Sequence, residues 1–469
     1  MPEAKELTDF SSANTALWNF LLEMGAIAGV LLIANVLGRK VPFIRKSLMP
    51  TAVLAGFLML VMRICGLDPI YSATLDMITY HGIALGFIAL SLRIPPPKQT
   101  GADRLTGPKS GALIVSCYTL QGAIGLVISL GLGYTVMQQF FKGSGVLLGI
   151  AYGQGPGQAN NIGTMYERDF GFAGGKSFAM SLAAVGYLVA CVIGVIYLNV
   201  LRRKGIFKKS DTEAESGSIA VDTFQDKGEI PIAESVDRFS LQMALILGVY
   251  LLSYFLIHGI GLLMDKLGVN MPDIMTLLWG FNFIVGALLA MLVRAIFNKL
   301  RKNKLMTRQF QNNYLLSRFS GFAFDLMIIT GIASINIEEL EGMWAPFVLM
   351  AVAGAVATFL HLRFMCKKLY KDYFYEGFVS MFGMMTGTIS SGVLLLREID
   401  PMFTTPAANN LLTGSGTAIM FGAPMLALVS MAPQSDVMSW LVLGILIVYT
   451  SLLVLFMTKA KLKEKAHTP

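Results

Sequence analysis

Charged side chains are scarce in this 469-residue sequence, since Asp, Glu, Lys and Arg together make up only 14% of it. A typical soluble domain has about 25%, and here 55% of the residues are apolar and the mean hydropathy is +0.63. This composition excludes most soluble architectures. Cysteine is rare as well: four cysteines stand singly, with no Cys-x-x-Cys motif. Neither a disulfide framework nor a zinc site is therefore indicated.

The sequence also lacks the motifs of a membrane-embedded enzyme. An intramembrane hydrolase needs a nucleophile with a base, paired aspartates or His-Glu-x-x-His at depth, and none of these occurs. A basic face for nucleic acid is missing too, because the net charge of +8 is spread over short loops. We predict a protein that is not an enzyme, has no cofactor and binds no nucleic acid.

Long apolar runs are abundant instead. A spanning helix needs roughly 20 apolar residues, which predicts an all-α integral membrane protein with about eleven transmembrane helices. The predicted spans are 16–38, 48–66, 74–92, 111–137, 176–200, 239–264, 273–298, 318–337, 345–366, 405–431 and 437–458. Two glycine-rich, half-polar stretches, at about 143–166 and 376–398, do not fit this series. We predict that both are re-entrant hairpins.

Lysine and arginine are distributed unevenly between alternate loops. With the N-terminus outside, 31 of the 37 fall in predicted cytoplasmic segments, as the positive-inside rule requires. Positive charge follows the first span rather than preceding it, so we expect a retained helix and not a cleaved signal. The sequence predicts a multi-pass protein of the inner (plasma) membrane, in contact with the lipid bilayer and with a cytoplasmic C-terminus.

Two similar halves flank residues 201–238, a charged stretch that we predict to be a cytoplasmic linker. Residues 153–157 read Gly-Gln-Gly-Pro-Gly before Glu167, and residues 383–387 read Gly-Met-Met-Thr-Gly before Glu398. Five spans separate equivalent positions, so the halves would insert with opposite orientations. We predict inverted repeats over 1–200 and 239–431, and an extra span with a basic tail over 437–469. The alternative is that each Gly-x-x-x-Gly is a helix-packing motif.

Inverted repeats with broken helices are typical of secondary transporters. Irregular backbone at membrane depth is tolerated only inside protein or beside a wet cavity, and its free carbonyl and N–H groups would bind a cation and an anion. The competing classes are an ion channel and a membrane-embedded enzyme. A channel filter usually comes from symmetric assembly around one axis, whereas an antiparallel internal repeat predicts alternating access.

Polar residues around the two predicted tips form the candidate site. The candidate substrate-binding residues are Gln154, Gly155, Pro156, Gly157, Gln158, Thr386, Gly387, Thr388 and Arg397. The candidate sodium ligands are Asn160, Asn161, Thr164, Ser390, Ser391 and Asn409. Arg397 is a candidate because a guanidinium is the usual partner of a carboxylate; its alternatives are a topogenic charge or a salt bridge to Glu398 or Asp400. The neutral residues could instead satisfy hairpin backbone.

With these features the chain resembles the bacterial sodium/glutamate symporter family. The shared features are inverted five-span halves, a charged central loop, the spacing from Gly153 to Glu167, and a Phe-Gly-Phe turn at 170–172. The family commonly has Gly-Gly-His-Gly at the first tip and a proline at the second, and it lacks an eleventh span. The resemblance implies sodium-coupled symport of glutamate by a homodimer, with a fixed scaffold and a moving domain that carries both hairpins. The departures leave another small organic anion as the alternative substrate.

Overall fold

The architecture comes from a computed structural model that describes most, but not all, of the chain. It describes residues 11, 14–67, 70–94, 105–206, 238–267, 275, 278–279, 282–306, 308–400 and 405–459. Most of the predicted linker, the N-terminal end of the seventh predicted span and the basic tail lie outside the described residues.

Every regular element in these residues is helical. The helices are α1 (Thr15–Lys40), α2 (Pro42–Ser47), α3 (Thr51–Ile64), α4 (Ser72–Leu92), α5 (Thr106–Tyr134), α6 (Leu147–Gln154), α7 (Pro156–Phe170), α8 (Gly175–Arg203), α9 (Arg238–Lys266), α10 (Asn282–Lys302), α11 (Asn313–Ala333), α12 (Trp344–Leu369), α13 (Phe374–Thr386), α14 (Ile389–Arg397), α15 (Ala407–Met431) and α16 (Asp436–Lys459).

Ten of the described helices are long and apolar enough to cross a membrane. The protein is therefore an all-α protein of multi-pass membrane type, as the sequence predicts. A helix lies at each of the eleven predicted spans, but the second, α3, has only 14 residues. At 1.5 Å per residue it is about 21 Å long, shorter than the ~30 Å hydrocarbon layer. Pro50 immediately precedes this helix, which limits it at its N-terminal end.

Two helices begin several residues before the predicted spans, because hydropathy does not detect polar first turns. α5 begins at Thr106 rather than 111, and α11 begins at Asn313 rather than 318. At α11 the preceding Asn312 caps the helix, since its Oδ1 accepts a hydrogen bond of 2.8 Å from the backbone N–H of Leu315. A capping side chain satisfies one of the N–H groups that a helix start leaves unpaired.

The described residues divide into two compact units. The first unit comprises the described residues of Met1–Tyr71, Gln99–Ser210 and Gly331–Pro469. Its centre is α5. In the most apolar 18-residue stretch of this helix 72% of the residues are buried, a larger share than in any other described helix that could span a membrane. Small residues let other segments approach α5. If a Cβ atom were added to Gly122 at the ideal position, it would lie 3.4 Å from a methyl of Leu446 on α16. Thr450 of α16 also donates a 2.7 Å hydrogen bond to Thr119.

The second unit comprises the described residues of Ser72–Lys98 and Asp211–Thr330, and it contains α4, α9, α10 and most of α11. Its core includes Ile88, Ile246 and Leu316, which are all fully buried. α4 and α11 pack closely at Gly82, whose ideal Cβ position lies 3.1 Å from the carbonyl oxygen of Ala323. Large apolar side chains such as Phe255 on α9 are exposed, which is typical of a lipid-facing surface.

Candidate functional site

The chain has two helix breaks, each of which interrupts two consecutive helices. The first break lies between α6 and α7. Gly155 stands at the interruption with φ +84° and ψ −174°, a region that is essentially restricted to glycine. Pro156 follows as the first residue of α7. Because proline has no backbone N–H, no further α-helical turn can close on the carbonyl of Tyr152. The Gly-Pro sequence therefore ends α6 and fixes the position of the break.

The second interruption lies between α13 and α14, at Gly387 and Thr388. Thr388 is extended, with φ −141° and ψ 176°. Beyond it the two helices fold back on each other: the ideal Cβ position of Gly383 lies 2.8 Å from the Cα of Gly392, and that of Gly392 would collide with the carbonyl oxygen of Ser380. Glycines at both positions allow the two backbones to touch, and the helices form a close antiparallel pair.

The α6–α7 pair begins and ends at the C-terminal end of α5. Phe141 precedes the pair, directly before a 3₁₀ turn at Lys142–Val146, and Phe172 follows it. Their rings stack with centroids 4.9 Å apart. Phe140 also contacts Phe178 near the start of α8, with centroids 6.0 Å apart. These aromatic contacts hold the entrance of the pair, its exit and the first turn of α8 together.

The α13–α14 pair begins and ends at the opposite end of the first unit. Tyr370, just before the pair, shares a 2.7 Å hydrogen bond with Ser110 in the first turns of α5. Just after the pair, Glu398 accepts a 2.7 Å charged hydrogen bond from Arg202 in the last turn of α8. Because α8 starts beside the exit of the first pair and ends beside the exit of the second, the two pairs enter from opposite ends.

The two interruptions meet near the middle of α5 and α8. The ideal Cβ position of Gly155 lies 3.3 Å from Cγ2 of Thr388 and 3.7 Å from the carbonyl oxygen of Gly387. Gln121, midway along α5, donates a 2.9 Å hydrogen bond to the carbonyl of Met385 at the end of α13. Gly186 of α8 packs against the carbonyl oxygen of Thr386. The two helix breaks are thus in direct contact in the interior of the unit.

Four helix ends converge at this contact. α7 and α14 begin there, and no described side chain caps the N-terminus of either helix. α6 and α13 end there. The first N–H groups of a helix and its last carbonyls lack intrahelical partners and carry partial positive and negative charge. The contact therefore offers N–H donors to an anion and carbonyl acceptors to a cation.

Several polar side chains near the breaks have buried oxygens without a hydrogen-bond partner among the described residues. They are Gln158 Oε1, Asn160 Oδ1, Thr388 Oγ1 and Ser391 Oγ. The Ser391 oxygen lies 2.8 Å from the ideal Cβ position of Gly387, directly beside the second break. A buried polar atom without a partner costs about 1–3 kcal/mol, so a cluster of them is expected where a ligand supplies the missing interactions.

The other predicted site residues differ in their surroundings. Gly155, Pro156, Gly157, Asn161, Thr386 and Gly387 are buried and Gln154 is half-buried. The Thr386 hydroxyl donates within its own helix, to the carbonyl of Phe382 at 2.8 Å. Thr164, Arg397 and Asn409 are exposed, and the side chain of Ser390 lies outside what the structure describes.

Arg397 ends α14, nine residues after Thr388. At 1.5 Å per residue this separates the two backbones by about 13 Å along the helix, and the structure does not bring Arg397 to the breaks. Of its two alternative acidic partners, Glu398 is paired with Arg202. Asp400 accepts a 2.7 Å hydrogen bond from the hydroxyl of Thr405.

Formally charged residues are missing from the segments that meet at the breaks. Residues 110–134, 147–166, 177–201 and 377–396 contain no Asp, Glu, Lys or Arg. Lys142 and Asp436 form an ion pair, at 2.7 Å, at the entrance of the first helix pair. The hydrogen bond between them raises the pKa of Lys142. The electrostatic field at the breaks therefore comes from helix ends and neutral dipoles.

Gln121 is a residue at the breaks that the sequence analysis missed. It is fully buried and also donates a 2.8 Å hydrogen bond to the hydroxyl of Thr358 on α12. The signal for it was present, since Gln121 is an isolated amide within a long apolar run. Its partners Thr358 and Met385 are more than 230 residues away in the sequence, so no local pattern could identify them.

The comparisons with known proteins identify no family for the chain. No protein-family model matches it, and no curated protein matches it. Among the described residues, no group of three or more His, Cys, Asp or Glu side chains is placed to hold a metal ion.

Proposed function

We propose that this protein is a sodium-coupled secondary transporter that imports glutamate or a related small organic anion. The observation that carries the proposal is the contact of the two helix breaks: Gly155 and Thr388 meet inside one unit, although their helix pairs enter from opposite ends. Paired broken helices at a common centre are the arrangement that transporters use to bind ions and substrates. The protein is proposed to be a transporter rather than an enzyme.

The same arrangement supports re-entrant hairpins in an inverted repeat of eleven spans. Each pair begins and ends at one end of the first unit, so neither would need to cross the membrane. One pair is held by the aromatic contact of Phe141 with Phe172, and the other by the ion pair of Arg202 with Glu398. With 31 of the 37 Lys and Arg residues inside, the N-terminus is outside and the first pair enters from the outer face.

Binding follows from the groups available at the breaks. The last carbonyls of α6 and α13, together with the Asn160, Thr388 and Ser391 oxygens, are suited to sodium, a hard cation that prefers oxygen. The uncapped N-termini of α7 and α14 are suited to a carboxylate. Because no charged side chain occurs in these segments, sodium and the anion neutralise each other in the site.

Alternating access is proposed to be of elevator type. The first unit contains both helix pairs, and we assign the moving part to it. The second unit, formed by α4, α9, α10 and most of α11, is assigned to a fixed scaffold that forms a homodimer. The extra helix α16 is bonded to α5 through Thr450 and Thr119, so it belongs to the moving part.

Uptake into proteoliposomes tests the proposal. Purified protein reconstituted into sodium-free vesicles should accumulate radiolabelled L-glutamate, or another acid from a panel of amino acids and mono- and dicarboxylates, above its external concentration. Accumulation should require an imposed inward sodium gradient. Uptake that follows only the gradient of the acid, with or without sodium, would contradict symport. A sodium current that flows without any acid would instead indicate a channel.

A further inference from the structure

Gln121 occupies the middle of α5, between the ends of α6 and α13. Its side chain is fully buried, and its amide touches the last turn of each of the two helices. The amide nitrogen bonds to the carbonyl of Met385, two residues before Gly387. The amide oxygen lies 3.1 Å from the ideal Cβ position of Gly153, two residues before Gly155.

The orientation of this amide is fixed by its neighbours. Met385 offers a carbonyl oxygen, which can only accept, so the NH₂ group must face it. The Thr358 hydroxyl donates its proton to the carbonyl of Gly354 at 2.7 Å, so it too accepts from Gln121. Both N–H groups of the amide are therefore used. If its oxygen and nitrogen were exchanged, the amide oxygen would face the carbonyl oxygen of Met385, and two acceptors would be in contact.

The amide oxygen is therefore directed toward α6, where it has no hydrogen-bond partner among the described residues. The backbone N–H that would continue α6 is missing at Pro156, so this position offers no donor to the oxygen. The oxygen and the last carbonyls of α6 are all acceptors. A group of acceptors in a buried, charge-poor region is suited to a cation.

We infer that Gln121 Oε1 is a ligand of the coupling sodium ion, which it binds together with carbonyl oxygens of the last turn of α6. This inference rests on the proposed function, and it adds a ligand from outside both helix pairs. Because the same amide also holds the carbonyl of Met385, Gln121 connects the ion to the second pair. Sodium bound at the first break would thereby stabilise the contact between both breaks.

The test measures sodium binding to the purified full-length protein without any acid present. Thermal unfolding is followed while sodium chloride replaces choline chloride at constant ionic strength. A ligand of the folded state stabilises it by RT ln(1 + [L]/Kd), so the rise of the melting temperature with sodium concentration gives the half-saturating concentration, Kd. The comparison set is wild type, Gln121→Met, which removes oxygen and N–H groups, and Gln121→Asn, which keeps the amide but withdraws it by one methylene. Thr358→Val is the control, because it removes only one partner of the amide nitrogen.

The half-saturating sodium concentration is expected to rise at least about tenfold in Gln121→Met and in Gln121→Asn, and to change less than about twofold in Thr358→Val. Gln121→Asn is also expected to change the ratio of half-saturating concentrations for sodium and lithium, which a purely structural role would leave unchanged. If Gln121→Met does not fold, Gln121→Asn decides alone.

Two outcomes separate the inference from the proposed function. Stabilisation of wild type by sodium over choline, with an unchanged half-saturating concentration and sodium-to-lithium ratio in the Gln121 variants, would overturn the assignment of Gln121 and leave sodium coupling intact. Absence of any specific stabilisation of wild type by sodium over choline would overturn both the ligand and the sodium-coupled function.

Discussion

At the residue scale, the backbone conformation at the first break requires a glycine. Gly155 has φ +84° and ψ −174° and lies against Thr388. Any other residue is strained there by roughly 1–3 kcal/mol, and a branched side chain would also separate the two breaks. We predict that Gly155→Val inserts into the membrane normally but loses uptake of the labelled acid.

The control for this substitution is Gly131→Val. Gly131 lies on α5 and has no positive φ, and no atom of the described residues lies within 4 Å of its ideal Cβ position. It should retain most of the wild-type uptake at equal membrane abundance, measured by immunoblot of membranes from the same cells. Wild-type uptake by Gly155→Val would mean that the first break is only a packing feature.

A second residue-scale prediction concerns the hydroxyl of Thr388, which has no hydrogen-bond partner among the described residues. Thr388→Val keeps the shape of the side chain and removes the oxygen. If that oxygen binds sodium, the sodium concentration for half-maximal uptake should rise roughly three- to thirtyfold, which corresponds to about 0.7–2 kcal/mol. Thr458→Val on α16 is the matched control, because the bonds that its hydroxyl makes to described residues stay within its own helix. Equal sodium dependence in both variants would remove Thr388 from the site.

At the element scale, the α13–α14 pair depends on two glycines that allow backbone contact. An added methyl at Gly392 would meet the carbonyl oxygen of Ser380, and one at Gly383 would lie 2.8 Å from the Cα of Gly392. Overpacking of this kind typically costs about 1–3 kcal/mol. We predict that Gly392→Ala lowers the melting temperature of the purified protein by several degrees.

Gly416→Ala is the control for the pair. Gly416 lies within α15, and within the part of the chain that the structure describes no atom lies within 4 Å of its ideal Cβ position. Replacing a helical glycine by alanine in open space should leave the melting temperature unchanged or slightly higher. If Gly392→Ala were equally neutral, α13 and α14 would not be in backbone contact.

The element scale also separates what the sequence could predict from what it could not. Hydropathy located the long helices, and the glycine-rich stretches 143–166 and 376–398 contain both breaks, because glycine and proline act locally on the backbone. These local effects of glycine and proline do not predict which side chains meet in the folded protein. The charge of Arg397 makes it a candidate ligand, but along α14 its backbone lies about 13 Å from that of Thr388. Gln121 was missed because its importance depends on Thr358 and Met385, which only the tertiary fold brings to it.

At the scale of the whole molecule, the positive-inside distribution predicts where each end of the first unit lies. Lys204 follows α8 at one end, and Glu341 precedes α12 at the other; both are exposed. In a background without the four native cysteines, Glu341→Cys should react with an impermeant maleimide on intact cells. Lys204→Cys should react only after the cells are permeabilised. The reverse pattern would overturn the orientation and the proposed outer entrance of the first helix pair.

At the scale of the whole molecule, the scarcity of charge also makes the binding of sodium and the binding of the anion depend on each other. The segments that meet at the breaks have no Asp, Glu, Lys or Arg, and an uncompensated charge in a buried site is strongly destabilising. Sodium alone or the anion alone would each be such a charge, whereas the two together are neutral. We therefore expect each ligand to bind measurably by itself and more tightly in the presence of the other.

Thermodynamic linkage makes this expectation quantitative. If saturating sodium tightens binding of the transported acid by some factor, the acid must tighten sodium binding by the same factor. We predict a factor of at least about ten, equivalent to about 1.4 kcal/mol, measured by equilibrium binding of the labelled acid at low and saturating sodium and by the sodium titration repeated with the acid. Potassium at the same concentration should not substitute for sodium. Acid binding that is equally tight in choline would mean that a protein group outside the charge-free segments neutralises the anion, and Arg397 at the end of α14 would then be the first residue to replace.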